Sequence, residues 1–312
     1  MRAPLRLGLY ALVLLAVFGA ALGVARVVAP SRAAERPPAA EPGHGGTEDH
    51  TETAGEDHAG DDHTGEQDGH GAGAGHVPGV TVSQDGYRLT ALDAPAEVGV
   101  DGQLSLRLVD GQGHPVTDYE VSHEKELHLV VVRSDGEGFR HVHPRHDGEG
   151  TWSLPWRWQQ AGSHRVYADF VPAGGEQVTL TSTVEVAGEL EPVTDRPQTR
   201  SVEVDGLTVT VAGELRAARS SELTFTVERD GRPVTTLQPH LGAFGHLVAL
   251  REGDLAYLHV HPLGAGPSSA EATSGPEVVF AAEAPTPGRY LLYLDLRVDD
   301  RVVTAPLVVE AR

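Results

Sequence analysis

Cysteine is absent from this chain of 312 residues, so disulfides, thiolate metal sites, a cysteine nucleophile and a lipid on an N-terminal cysteine are all excluded. Methionine occurs once, as Met1, which removes the thioether sites that select Cu(I). Lysine also occurs once, as Lys125, and Lys+Arg total 24 against 45 Asp+Glu, a formal net charge of −21. A phosphate backbone needs a basic footprint to displace its counterions, so this balance argues against nucleic acid and favours cationic partners. Beyond residue 80 no stretch shows a helical period with caps. The ligand type left in abundance is histidine, with 17 residues.

The longest uncharged run is Leu7 to Ala25, preceded by Arg2 and Arg6. As a helix it would span about 28 Å at roughly 1.5 Å per residue, close to a ~30 Å hydrocarbon core. The arginines favour a cytoplasmic N-terminus. Residues 1–29 therefore read as a transmembrane signal anchor or a cleaved signal peptide, and everything after them as extracytoplasmic. Residues 30–79 are rich in Pro, Gly, Asp, Glu and His, with almost no large apolar side chain. Such a tether cannot bury enough surface to offset its ordering entropy, and is expected to be disordered. It carries His44, His50, His58, His63, His70 and His76, with ten carboxylates between Glu41 and His76, a composition suited to weak metal capture or to plain solvation.

From Val80 the texture changes to short apolar runs, read as alternating, between Gly, Pro and Asp, which predicts antiparallel β-sandwiches. The chain then repeats itself: residues 104–144 lie on 222–262 without a gap, at a constant offset of 118, with 13 identities in 41 positions. Gly162 and Asp169 find partners in Gly288 and Asp295 after an eight-residue insertion around Pro267–Gly275. The fold class is thus all-β: two tandem immunoglobulin-like sandwiches at 80–188 and 201–312, joined by a polar, proline-bearing linker at 189–200.

Both repeats keep the spacing H-x₁₂-H-x-H-P, as His128, His141 and His143 and as His246, His259 and His261. On a strand the last two of each set share a face. Asp135-Gly136 suits a type I′ turn and Gly253-Asp254 a type II′ turn. Centred there, the two hairpins place His128 opposite His143 and His246 opposite His261, close enough for three imidazoles to meet an ion. Asp169 and Asp295 are candidates for a fourth ligand or for an acceptor that fixes an imidazole tautomer. His123 and His240 stand just upstream. A lone histidine on a strand is more often a satisfied core residue than a ligand, and Phe139 and Tyr257 share the histidine face.

The segments HLVVVR…HVHP and GHLVALR…HVHP resemble those of bacterial envelope metal-handling proteins, the YtkA-like domains and the periplasmic copper-resistance sandwiches. The resemblance implies an Ig-like fold and copper or another divalent ion; the N-terminal histidine and methionine-rich loops that copper-resistance sandwiches often use are not present. The expected function is a membrane-tethered, extracytoplasmic protein that binds, buffers or delivers Cu²⁺ or Zn²⁺. It would carry one three-histidine site per domain, with an envelope metal transporter or acceptor protein as a partner. The alternatives are a zinc enzyme using three histidines and a bound water, or a structural or adhesive Ig-like pair without metal. No repeated Glu, Ser or Lys stands beside the histidines to act as a general base, so no catalytic residue is assigned.

Overall fold

The computed structural model describes residues 79–258 and 260–312; the apolar run at 7–25, the tether at 30–78 and His259 lie outside the described residues. Among those described there is no helix long and apolar enough to cross a membrane, and every regular element is a strand.

Repeat 1 comprises β1 (Ser83–Gln84), β2 (Tyr87–Asp93), β3 (Gly102–Val109), β4 (Tyr119–Glu120), β5 (Leu127–Arg133), β6 (Arg140–Val142), β7 (Arg145–His146), β8 (Thr151–Trp156), β9 (Gly162–Pro172) and β10 (Val178–Val186). Repeat 2 comprises β11 (Ser201–Val204), β12 (Leu207–Ala212), β13 (Ser220–Arg229), β14 (Arg232–Pro233), β15 (His246–Arg251), β16 (Val260–Leu263), β17 (Glu277–Glu283), β18 (Gly288–Val298) and β19 (Arg301–Ala311). In repeat 1 a sheet ordered β1-β2-β3-β8-β7 faces one ordered β10-β9-β5-β6; in repeat 2 a β11-β12-β13-β17-β16 sheet faces β15-β18-β19. All pairings between these strands are antiparallel. Each sandwich closes on its own core: Leu104, Leu106, Trp152, Leu129 and Ala168 in the first, Phe225, Phe280, Leu247, Leu292 and Leu307 in the second.

The tandem sandwiches share a third core. Along β5, Leu127, Leu129 and Val131 point into the repeat 1 core, while Val130 and Val132 point outward and are nonetheless fully buried. Along β15, Leu247 and Ala249 point inward, and Val248 and Leu250 outward into the same seam. With Tyr167, Leu255, Leu291, Tyr293 and Val308 these side chains bury one sheet of each repeat against the other. The predicted alternation is corrected here: β5 is buried at every position, because both of its faces are covered.

The seam has a near two-fold character that follows from the duplication. Phe139 stacks on Tyr293 at 4.0 Å and its counterpart Tyr257 meets Tyr167 at 5.6 Å. Tyr293 donates its hydroxyl to the Gly136 carbonyl at 2.6 Å, and Tyr167 to that of Leu255 at 2.5 Å. The linker packs along this seam: Arg133 donates to the Glu191 carbonyl, and Arg196 reaches Glu137.

Candidate metal centre

In repeat 1 the predicted register is observed, with Leu129 opposite Val142 and Val131 opposite Arg140. The turn differs from the type I′ expectation. Asp135 keeps a negative φ, Arg133 bonds to Glu137 and Gly136, and both Gly136 (φ 86°) and Gly138 (φ 63°) are left-handed. A longer reversal with two left-handed glycines reaches the same pairing. In repeat 2 the register begins as predicted, with Leu250 bridged to Tyr257. It does not continue to His261. β16 instead pairs with β17 in the opposite sheet, where four successive residues find partners and His261 lies opposite Ala281. His246 stays on β15 opposite Asp295 while β16 takes its backbone partners from β17, so among the described residues the predicted ladder is not carried as far as His261. His261 is exposed, and the position of His259 is outside the described residues.

His128 shares the even-numbered face of β5 with Val130 and Val132, and His246 that of β15 with Val248 and Leu250. Their cross-strand partners are Asp169 and Asp295 respectively. All four therefore lie on the sheet faces that form the seam, where sequence alone had given each repeat a separate site. His128, His141 and His143 form a group whose ligand atoms all lie within 4.8 Å of one another. The rings of His128 and His246 lie nearly parallel at 5.5 Å, and His246 is 5.0 Å from His141.

Hydrogen bonds orient the triad. His128 Nε2 donates to the Ser122 carbonyl at 3.0 Å, and His141 Nδ1 donates to Asp295 Oδ2 at 3.0 Å. Thr304 donates to the other oxygen of Asp295 at 2.6 Å. A carbonyl only accepts and an ionised carboxylate only accepts, so each of those ring nitrogens carries a hydrogen. The nitrogens left over converge: His128 Nδ1 is 3.1 Å from His141 Nε2 and 3.2 Å from His143 Nε2. Asp169 has no such role in its bonding, since Thr179 and Gln177 donate to it.

His123 and His240, just upstream of the two histidine sets, each belong to a tight hairpin. Ser122 and Lys125 close a two-residue hairpin whose central residues, His123 (φ 48°) and Glu124 (φ 64°), are both left-handed. That reversal aims the Ser122 carbonyl at His128 and sets His123 5.1 Å from His246. Repeat 2 makes the same hairpin at His240–Ala243. The inter-repeat seam has one signal in the sequence, the unbroken apolar runs LVVV and LVAL, which suit strands buried on both faces.

Burial holds three of these histidines, His128, His143 and His246, uncharged. It pulls His128 down to about 4, against the Ser122 hydrogen bond, and His143 down to about 3 with help from His141 and His128. Burial, reinforced by His141 and His128, does the same to His246, to about 2. Asp169 is pushed up to about 6 by burial, opposed by Thr179 and Gln177. A histidine depressed in the fold is neutral there but takes a proton in the unfolded chain near 6.5, so its stabilisation is lost as pH falls below that value. Asp169 works the other way, favouring the fold on acidification between about 6 and 4. Three histidines outweigh one carboxyl, so the melting temperature of the ion-free protein should drop by several degrees from pH 7.5 to pH 5; a flat or rising profile would contradict this picture of the centre.

A family model, Domain of unknown function (DUF8832), matches residues 81–188 and again 202–312. The chain belongs to this DUF8832 family. The match covers both sandwiches, and it names no metal-handling family. No curated protein matches in sequence. Among solved structures the chain is similar to a membrane-anchored protein from Corynebacterium diphtheriae (11% identity, 73% of this chain and 59% of that one, TM-score 0.22). It is also similar to fibronectin(III)-like modules of Clostridium thermocellum CbhA (13%, 71% and 92%, TM-score 0.19) and to the D0-D1 domain of intimin (14%, 72% and 98%, TM-score 0.20). The chain thus spans about three fifths of the Corynebacterium protein's length. These likenesses are too distant to carry a function.

Proposed function

We propose that this DUF8832 protein binds one divalent ion, Zn²⁺ or Cu²⁺, through His128 Nδ1, His141 Nε2 and His143 Nε2, and serves as a tethered metal buffer or carrier outside the cytoplasmic membrane. The observation that carries the reading is the 3.1 Å approach of His128 Nδ1 to His141 Nε2 while the opposite nitrogen of each ring is already donating. Two lone pairs facing each other at that distance repel unless a cation lies between them. Ligands about 2.0–2.1 Å from a tetrahedral ion are themselves roughly 3.3 Å apart, close to the spacing found. The Ser122 and Asp295 acceptors fix the tautomers that such an ion requires. Imidazole nitrogens without sulfur suit Zn²⁺ and Cu²⁺.

Export and tethering rest on the uncharged run at 7–25, and the His-rich acidic segment at 30–78 is suited to gathering the same ions weakly. One geometric fact favours a second reading, a purely structural network. The buried His141–Asp295 pair forms an ion pair if a proton rather than a metal lies on His141 Nε2.

Calorimetric titration of residues 79–312 with Zn²⁺ and with Cu²⁺ separates the readings, paired with elemental analysis of the exported protein. The expected result is one tight site per chain, lost in His128→Ala and in His143→Ala. Protein that gains no ion, or binds it equally well in both variants, would leave the structural network as the function of the triad.

A further inference from the structure

The ion's three ligands all come from repeat 1, yet the group that orients His141 comes from repeat 2. His141 and Asp295 are 154 residues apart, and their side chains are 2% and 4% exposed. Asp295 sits on β18 opposite His246, whose ring lies flat over His128. Asp295 is itself held by Thr304 of β19. The same two strands, β15 and β18, supply the repeat 2 half of the apolar seam, through Val248, Leu250, Leu291 and Tyr293. Sliding or parting the seam would therefore remove the acceptor from His141 Nδ1 and the cover from His128.

We infer that ion binding and the docking of the two repeats are one linked equilibrium: Asp295 is a positioning residue that lets repeat 2 set the affinity of a site made by repeat 1, and the bound ion in turn clamps the repeats together. The inference rests on the metal reading above. Linkage makes the effect reciprocal. Whatever factor the docked seam adds to ion affinity, the ion adds to the stability of the docked state. Outer acceptors of metal-bound imidazoles typically contribute about 10–100-fold in affinity. Asp295→Asn keeps the shape and can still accept at one oxygen, but removes the charge that raises imidazole basicity; the expected loss is roughly tenfold, and larger for Asp295→Ala. Leu291→Ala, which loosens the seam without touching an imidazole, should weaken binding in the same direction.

The experiment is Zn²⁺ titration of residues 79–312, wild type, Asp295→Asn and Leu291→Ala, together with amide hydrogen exchange at 247–251 and 290–298 with and without saturating Zn²⁺. Those segments belong to repeat 2 and contribute no ligand of the triad. The expected result is slower exchange in both segments on Zn²⁺ loading of the wild type, with protection reduced in Asp295→Asn. If Zn²⁺ binds through the triad but leaves repeat 2 exchange unchanged, or if Asp295→Asn and Leu291→Ala bind as tightly as wild type, the coupling is wrong while the metal reading stands. If Zn²⁺ does not bind the wild type, the metal reading falls and takes the coupling with it. Leu291→Ala guards against an Asp295 variant that merely misfolds, since each variant's ion-free melt is compared with its affinity.

Discussion

Replacing His141 with alanine should abolish the single tight site, taking the stoichiometry at micromolar ion from one to zero and weakening affinity roughly a hundredfold or more, given that losing only an outer partner already costs about 10–100-fold. Three features place His141 within the centre. It is the ligand held by a charged acceptor, at 3.0 Å from Asp295. Its Nε2 lies 3.1 Å from the nitrogen of His128. Its ring also lies within 5.3 Å of those of His128, His143 and His246. Removing it would leave His128 and His143 on two corners of the ion and Asp295 buried with only Thr304 donating. Two controls sharpen the result. His114→Ala alters a histidine that is 76% exposed and paired with Asp110, so it should leave binding unchanged. His261→Ala alters an exposed residue whose strand is paired in the other sheet, so its effect should be within about twofold, well below the tenfold that one 1.4 kcal/mol interaction commands. Equal losses in His141→Ala and His114→Ala would mean adventitious surface binding.

Tyr293→Ala should be the most damaging single change for stability. Tyr293 is 3% exposed, lies flat on Phe139 at 4.0 Å and donates to the Gly136 carbonyl of the other repeat. Truncating a buried aromatic costs about 3–5 kcal/mol through lost transfer energy and the cavity left behind. In a region of this size that lowers the melting temperature on the order of 10 °C. Tyr293→Phe keeps the stack and loses the cross-repeat hydrogen bond, so about 1 kcal/mol is expected there. Val302→Ala, at a residue 50% exposed, should change little. Because the seam is a continuous apolar layer, the two repeats should melt together in the wild type. Two resolved transitions in calorimetry of the wild type would show that the seam contributes less than its burial implies.

Much of this protein was legible in its sequence. Apolar runs punctuated by glycine, proline and aspartate specified two sandwiches, and the offset of 118 marked the duplication. Centring the repeat 1 reversal on Asp135-Gly136 predicted the register observed there, because a short hairpin leaves few ways to pair. The identity of the turn was less legible. Gly138, three residues beyond Asp135, adds a second left-handed residue that a search for a two-residue turn passes over.

What the chain's local pattern could not decide was which faces meet. The unbroken apolar runs at 129–132 and 247–250 mark strands covered on both faces, but no local rule says which surface supplies the second cover. The stacking of β5 and β9 on β15 and β18 determined that His128, Asp169, His246 and Asp295 would share one buried layer. It also determined that His141 would find its acceptor 154 residues away, since hydrogen-bond partners in a packed seam are chosen by distance in space. The divergence of the repeats was equally a tertiary matter. Corresponding residues are placed in different sheets, because Val260 pairs on β17 whereas its counterpart Val142 pairs on β5. Sequence thus supplied the imidazoles and their spacing; the docking of one sandwich on the other decided which of them face one another.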